Sequence, residues 1–210
     1  MVMSHAYEDG AIEYSMENLG TAFDYSVNGL GIDGQEFLDL FVSTGISTEF
    51  GNGNPRFVTG MSGQDLADTV YEISGKRTKK IEGDYNGDYT PEYWCGWILA
   101  YYQWVSCLPF KKILLVINFQ MLMDLYGVLH EADVTKAESI FDDIVRSESF
   151  LARMRKSRSL SQSQLAKASG VSLRSIQLYE QKKNDINKAQ YNNLKAIAKA
   201  LYCEIEDILE

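Results

Sequence analysis

The stretch SQSQLAKASGVSLRSIQLY, Ser161 to Tyr179, decides how the rest of the chain is read. Ser161 suits a helix N-cap, where a hydroxyl accepts from an otherwise unpaired backbone N–H. The helix it opens runs from Gln162 to about Ala168, with Leu165 and Ala166 inward. Ala166 matters because two helices crossing at close range need a small residue at the contact. Gly170 is placed to end this helix in the left-handed conformation, which glycine adopts without strain. Ser172 caps a following helix whose Ile176 and Tyr179 point back to the same core. The spacing therefore predicts two short helices crossing over a tight turn, with the second free to enter a DNA groove.

Working outward, Ser149 to Ser157, SFLARMRKS, predicts a preceding helix. Leu151 and Met154 face its core, and Arg153, Arg155, Lys156 and Arg158 are expected to be exposed. A basic turn at Lys182-Lys183 leads to a fourth helix, Lys188 to Ala200, with Leu194, Ile197 and Ala198 inward and Leu201 just beyond. A short fifth, EIEDIL, closes the pattern.

The arrangement of Gln162, Ala166, Gly170 and Ile176, with Tyr179-Glu180 after it, resembles the helix-turn-helix of the Cro and C1 repressor, or Xre, family over about Phe150 to Glu210. The resemblance implies a five-helix, lambda-repressor-like DNA-binding domain. It places Ser172, Leu173, Arg174 and Gln177 at base edges in the major groove. Arg174 would read guanine, Gln177 adenine, and Leu173 a thymine methyl. Gln162, at the N-terminus of its helix, would contact phosphate with Ser161, Lys182, Lys183 and Lys188. It also implies a homodimer on a double-stranded operator with half-sites about 34 Å apart. An αα-hairpin that merely packs against the rest of the chain would instead carry a mixed or acidic surface.

A net charge of −9 taken alone argues against nucleic acid, because phosphates demand Lys and Arg. The average conceals a division. Before Ser149 the chain carries 9 basic and 23 acidic residues, a net of −14; from Ser149 onward it carries 11 and 6, a net of +5. Ser149 to Cys203 alone holds 11 basic against 2 acidic residues, a net of +9. Such asymmetry marks two jobs. The expected domains are thus 1–148, acidic and helical, and 149–210, the DNA-binding part, giving an all-α protein.

In the N-terminal part, Ile12, Met16, Leu19, Phe23, Val27 and Leu30 recur at helical spacing and predict one core-facing helix over Ala11 to Leu30. Asp33 caps a second helix through Phe41 or Val42, which Gly45 ends. The Gly- and Asn-rich run EFGNGNPRFVTGMSG reads as loop or short turns, with room for a hairpin near Arg56 or Ile81. Ser62 and Asp65 form a capping box for a helix that stops at Gly75. The basic cluster Lys76, Arg77, Lys79 and Lys80 reads as a solvated helix exit rather than a second phosphate-contacting patch.

Thr90 and Pro91 open a helix carrying Tyr93, Trp94, Trp97, Ile98, Tyr101, Tyr102, Trp104 and Val105, too wide an aromatic girth for one stripe. Core is its first reading and a binding platform its second. Pro109 breaks it. Lys111 to Tyr126 then reads as one helix, the apolar run Ile113 to Ile117 as core, and Thr135 with Glu138 as the capping box of a last helix through Val145.

No catalytic constellation emerges. His5 and His130 lack partners for triad or metal chemistry, and there is no CxxC, HExxH or Gly-rich phosphate loop. The run IEGDYNGDY, Ile81 to Tyr89, lacks calcium-loop spacing. No cofactor is implied, and the reading is not that of an enzyme. Cys95, Cys107 and Cys203 are odd in number and scattered, which suits reduced thiols. With neither a signal peptide nor a membrane span visible, a soluble cytoplasmic protein is expected.

The first reading of function is a transcriptional regulator, a repressor able to control its own operon, whose N-terminal domain senses, dimerises or binds a partner. The alternative is an antitoxin-like or inhibitor-like protein. Its acidic domain would neutralise a basic protein partner while the DNA-binding part gives feedback repression.

Overall fold

The structure, a computed structural model, describes residues 5–78 and 89–210. Lys79, Lys80 and residues 81–88, including most of the run considered for calcium, lie outside the described residues. Among the described residues every regular element is helical. None of the described helices is long and apolar enough to cross a membrane. The chain forms two compact units, Met1–Ile144 and Val145–Glu210.

In the first unit, α1 (Ile12–Asp24) does not run α-helically to Leu30 as the periodicity predicts; Tyr25–Gly29 is a π-helical turn. Within it the Leu30 N–H reaches back five residues to the Tyr25 carbonyl at 2.9 Å. In its first residues, the Ser26 hydroxyl donates to the Ala22 carbonyl at 2.6 Å and competes for the helical ladder. The caps of the next helices follow the sequence. Asp33 accepts from the Gln35 and Glu36 N–H groups at the start of α2 (Gly34–Ser43), and Gly45 follows that helix at φ +79°. The Gly- and Asn-rich stretch folds into two short helices, α3 (Ile46–Gly51) and α4 (Pro55–Val58), so Arg56 is helical rather than part of a hairpin. Asn54 supplies the second cap, accepting from the Arg56 N–H.

The Ser62–Asp65 capping box opens α5 (Gly63–Ser74), and Gly75 ends it at φ +72°. Thr90 accepts from the Tyr93 N–H to open α6 (Pro91–Ser106). Lys111 to Tyr126 is not one helix but two, α7 (Phe110–Leu114) and α8 (Phe119–Leu129), because Asn118 caps the second through the Met121 N–H at 2.9 Å. The break leaves Ile113 and Ile117 buried but Leu115 48% exposed, so the apolar run is core only at its ends. At α9 (Val134–Arg146) the cap is Asp133, which accepts from both the backbone N–H and the hydroxyl of Thr135. Thr135 lies inside the helix, and Glu138 instead accepts from the Tyr101 hydroxyl at 3.3 Å.

Helix α6 is the centre of this unit. Trp94, Ile98, Leu99, Tyr102 and Trp104 are all buried, as the first reading of its aromatic girth has it. It packs along α1 at backbone range. A Cβ on Gly96 would fall on the Leu19 carbonyl and within 2.9 Å of the Gly20 Cα, so only glycine fits. Around this pair, Phe37, Phe41, Phe50 and Phe110 meet at centroid distances of 5.3 to 6.1 Å. The Asn18 amide ties the turn before α5 to α1 by donating to the Val58 and Met61 carbonyls.

The second unit contains α10 (Phe150–Ser157), α11 (Gln162–Ser169), α12 (Leu173–Glu180) and α13 (Tyr191–Leu201). The fourth helix starts at Tyr191 rather than Lys188, since Ile186–Lys188 is a 3-10 turn and Ala189 is extended. The fifth element is likewise a single 3-10 turn, Ile205–Asp207. Leu151, Leu165, Ile176, Leu194, Ile197, Ala198 and Leu201 form one core, as the helical spacing predicts. Val171, Ile186 and Ile208 join them from turns, where no periodicity marks them.

Candidate nucleic-acid interface

The interface is built on α11 and α12. Ser161 accepts from the Gln164 N–H at 3.2 Å, and the Gln164 side chain returns the favour to the Ser161 N–H at 2.7 Å, a full capping box. Gly170 stops α11 at φ +71°, and its N–H pairs with the Ala166 carbonyl at 2.9 Å. Only Val171 and Ser172 separate it from α12. Val171 is buried, and the Ser172 hydroxyl accepts from the Ser175 N–H at 3.0 Å. The turn is therefore fixed at both ends by caps.

Beneath the two helices lies a buried ionic cluster. Arg155 on α10 donates from Nε to one Glu180 oxygen at 2.6 Å and from Nη2 to the other at 2.9 Å. Its Nη1 donates to the Leu160 carbonyl, and the Gln162 amide adds a bond to Glu180 at 2.8 Å. The side chains of Arg155 and Glu180 are 11% and 5% exposed. The hydrogen bond to Glu180 raises the Arg155 pKa further above its ordinary value, against the opposing effect of burial. Arg155 is thus not the exposed residue that the amphipathic pattern predicts. It joins α10, the approach to α11 and the end of α12 in one rigid element.

Of the residues assigned to base reading, Ser172, Leu173 and Arg174 are exposed and Gln177 is half-buried. Leu173 is 41% exposed although apolar, at the first position of α12. Position 177 is four residues from 173 and three from 174, so α12 presents all three from neighbouring positions.

The residues assigned to phosphate are less uniform. Ser161 is exposed, while Gln162 is half-buried and spends one of its two amide hydrogens on Glu180. Lys182 sits at φ +53° with its ammonium 2.9 Å from Glu210 and donating to the Arg146 carbonyl at 3.1 Å. Lys188 lies 3.2 Å from Asp185 with its side chain 84% exposed. Lys183 is exposed. Glu210 also accepts from the Phe150 N–H at 3.0 Å, which ties α10 to the turn after α12.

In the first unit the two histidines serve local structure. His5 pairs with Asp9 at 2.8 Å, and His130 bonds the Tyr126 carbonyl and stacks on its ring. No group of three or more His, Cys, Asp or Glu that could hold a metal occurs among the described residues. Burial pushes the Cys95 thiol far above its usual range.

Residues 151–208 match the Helix-turn-helix family. No curated protein and no solved structure matches the chain.

Proposed function

We propose that the protein is a sequence-specific transcriptional regulator that acts as a repressor, binding operator DNA as a homodimer through α12. The observation that carries this reading is the capped α11–Gly170–α12 turn within a segment of net charge +9, inside the family match. Ser172, Leu173, Arg174 and Gln177 read bases, and Ser161, Gln162, Lys182, Lys183 and Lys188 hold the backbone. The Arg155–Glu180 cluster sets the angle at which α12 meets the groove. Repression and control of the protein's own operon rest on the resemblance to the Cro and C1 repressors.

The test is a pair of substitutions assayed on an operator selected with the full chain. Arg174→Ala is expected to weaken binding by ~1–3 kcal/mol and relax the preference at one position. Lys183→Ala is expected to weaken all sequences alike and to lower the salt slope by about 1. Parental affinity in both variants would remove α12 from the groove.

The charge of the part before Ser149, 9 basic against 23 acidic residues, favours a second reading. In it the acidic unit neutralises a basic protein, as an antitoxin does, and the DNA-binding unit supplies feedback. A gene for a small basic toxin or nuclease adjoining this one would select it.

A further inference from the structure

The aromatic residues of α6 do more than fill the core. Tyr89, Thr90, Tyr93, Trp94 and Trp97 line a cavity of about 350 Å³ together with Tyr126 of α8 and His130, which follows that helix. That is the lower end of the size range of small-molecule sites, and the lining is mostly aromatic. The walls stand at steep angles: Tyr89 meets Tyr93 at 90° and 5.0 Å, and Trp94 meets Tyr126 at 70° and 5.7 Å. His130 stacks on Tyr126 and covers one of its faces, which fixes the ring in place. A flat ligand prefers two parallel faces between which to slide. Faces meeting at right angles instead suit a compact, rounded group that touches several rings at once.

Charge completes the description of the occupant. No Lys or Arg is among the described residues lining the cavity. Carboxylates are linked to the lining: Thr90 donates to the buried Asp24, and Asn28 donates to both Asp24 and Glu92. Ring faces carry negative potential, so aromatic walls linked to carboxylates attract a cation too weakly hydrated to need water.

We propose that this cavity of the first unit binds a small quaternary ammonium compound, its methylated head held among the rings of Trp97, Tyr93 and Trp94. The inference is independent of the DNA-binding reading, since every lining residue belongs to the first unit.

Titration of the full chain with choline, followed by calorimetry and tryptophan fluorescence, tests it. The neutral isostere 3,3-dimethylbutan-1-ol, alike in shape but uncharged, is the control. Choline is expected to bind saturably and about tenfold more tightly than the isostere. Trp97→Leu, which keeps apolar bulk and removes the ring, is expected to weaken choline by about tenfold with circular dichroism unchanged. Absence of saturable choline binding, or equal affinity for choline and the isostere, overturns the proposal in the parent protein without any variant. Unchanged affinity in a folded Trp97→Leu protein overturns the location.

Discussion

At the scale of single residues, Arg155 ties together the elements of the candidate interface. Its guanidinium matches the two oxygens of Glu180, and Gln162 satisfies one of them further. Burying such a pair costs hydration, so its gain over an apolar pair is small, but removing one partner strands a charge. Arg155→Ala is therefore expected to destabilise the second unit by about 3–5 kcal/mol in urea unfolding. Arg155→Met combined with Glu180→Leu should recover much of that loss. A single variant within ~0.5 kcal/mol of the parent would show that the cluster contributes nothing.

The pairing was not legible in the sequence. Amphipathic spacing places Arg155 on an outer face, and its partner lies 25 residues away. One signal was available: Glu180 is one of only two acids between Ser149 and Cys203, so a buried cation in that stretch has few possible partners. The roles of Ser161, Gly170 and Ser172 were legible, because caps and left-handed turns are local chemistry that leaves a local trace.

At the scale of elements, the helices of the first unit are arranged around the close contact of α1 and α6. Gly96 faces the Leu19 carbonyl and Gly20, and neither glycine has a periodicity that marks the contact. Gly96→Ala should cost about 1–3 kcal/mol by forcing the helices apart, read as a lowered urea midpoint of the full chain. A midpoint unchanged from the parent would place the α1–α6 contact elsewhere. The sequence located most helices correctly where a cap and a stop were both present, as at α5 with Ser62, Asp65 and Gly75. It erred where a side chain intervened in a continuous apolar pattern. Asn118 divides α7 from α8, Asp133 takes the cap expected of Thr135, and Ser26 sits in the π-helical turn that ends α1. Hydrophobic spacing reports which face is buried, and it carries no information on whether the backbone pauses between two such faces.

At the scale of the whole molecule, function follows from an uneven distribution of charge. In the proposed function, a chain of net −9 approaches DNA through a segment of +9, while phosphate would repel the part before Ser149, at −14. Binding should then be steeply salt-dependent, and confined to the face formed by α11 and α12. The aromatic girth of α6 has two uses: Ile98, Leu99 and Tyr102 fill the core, while Trp97 and Tyr93 face a cavity. Sequence alone offered core and platform as competing readings, because both draw on the same residue types.

The central claim is that α12 reads DNA. Selection of fragments from a random duplex library with the purified full chain, followed by affinity measurement across a salt series, tests it most directly. The account predicts one enriched motif, made of two half-sites about 10–10.5 base pairs apart, whose affinity falls linearly on a log–log scale with salt. It also predicts that Arg174→Ala no longer enriches that motif. A library that emerges without any enriched motif, or an Arg174→Ala protein that selects the same motif as the parent, would contradict it.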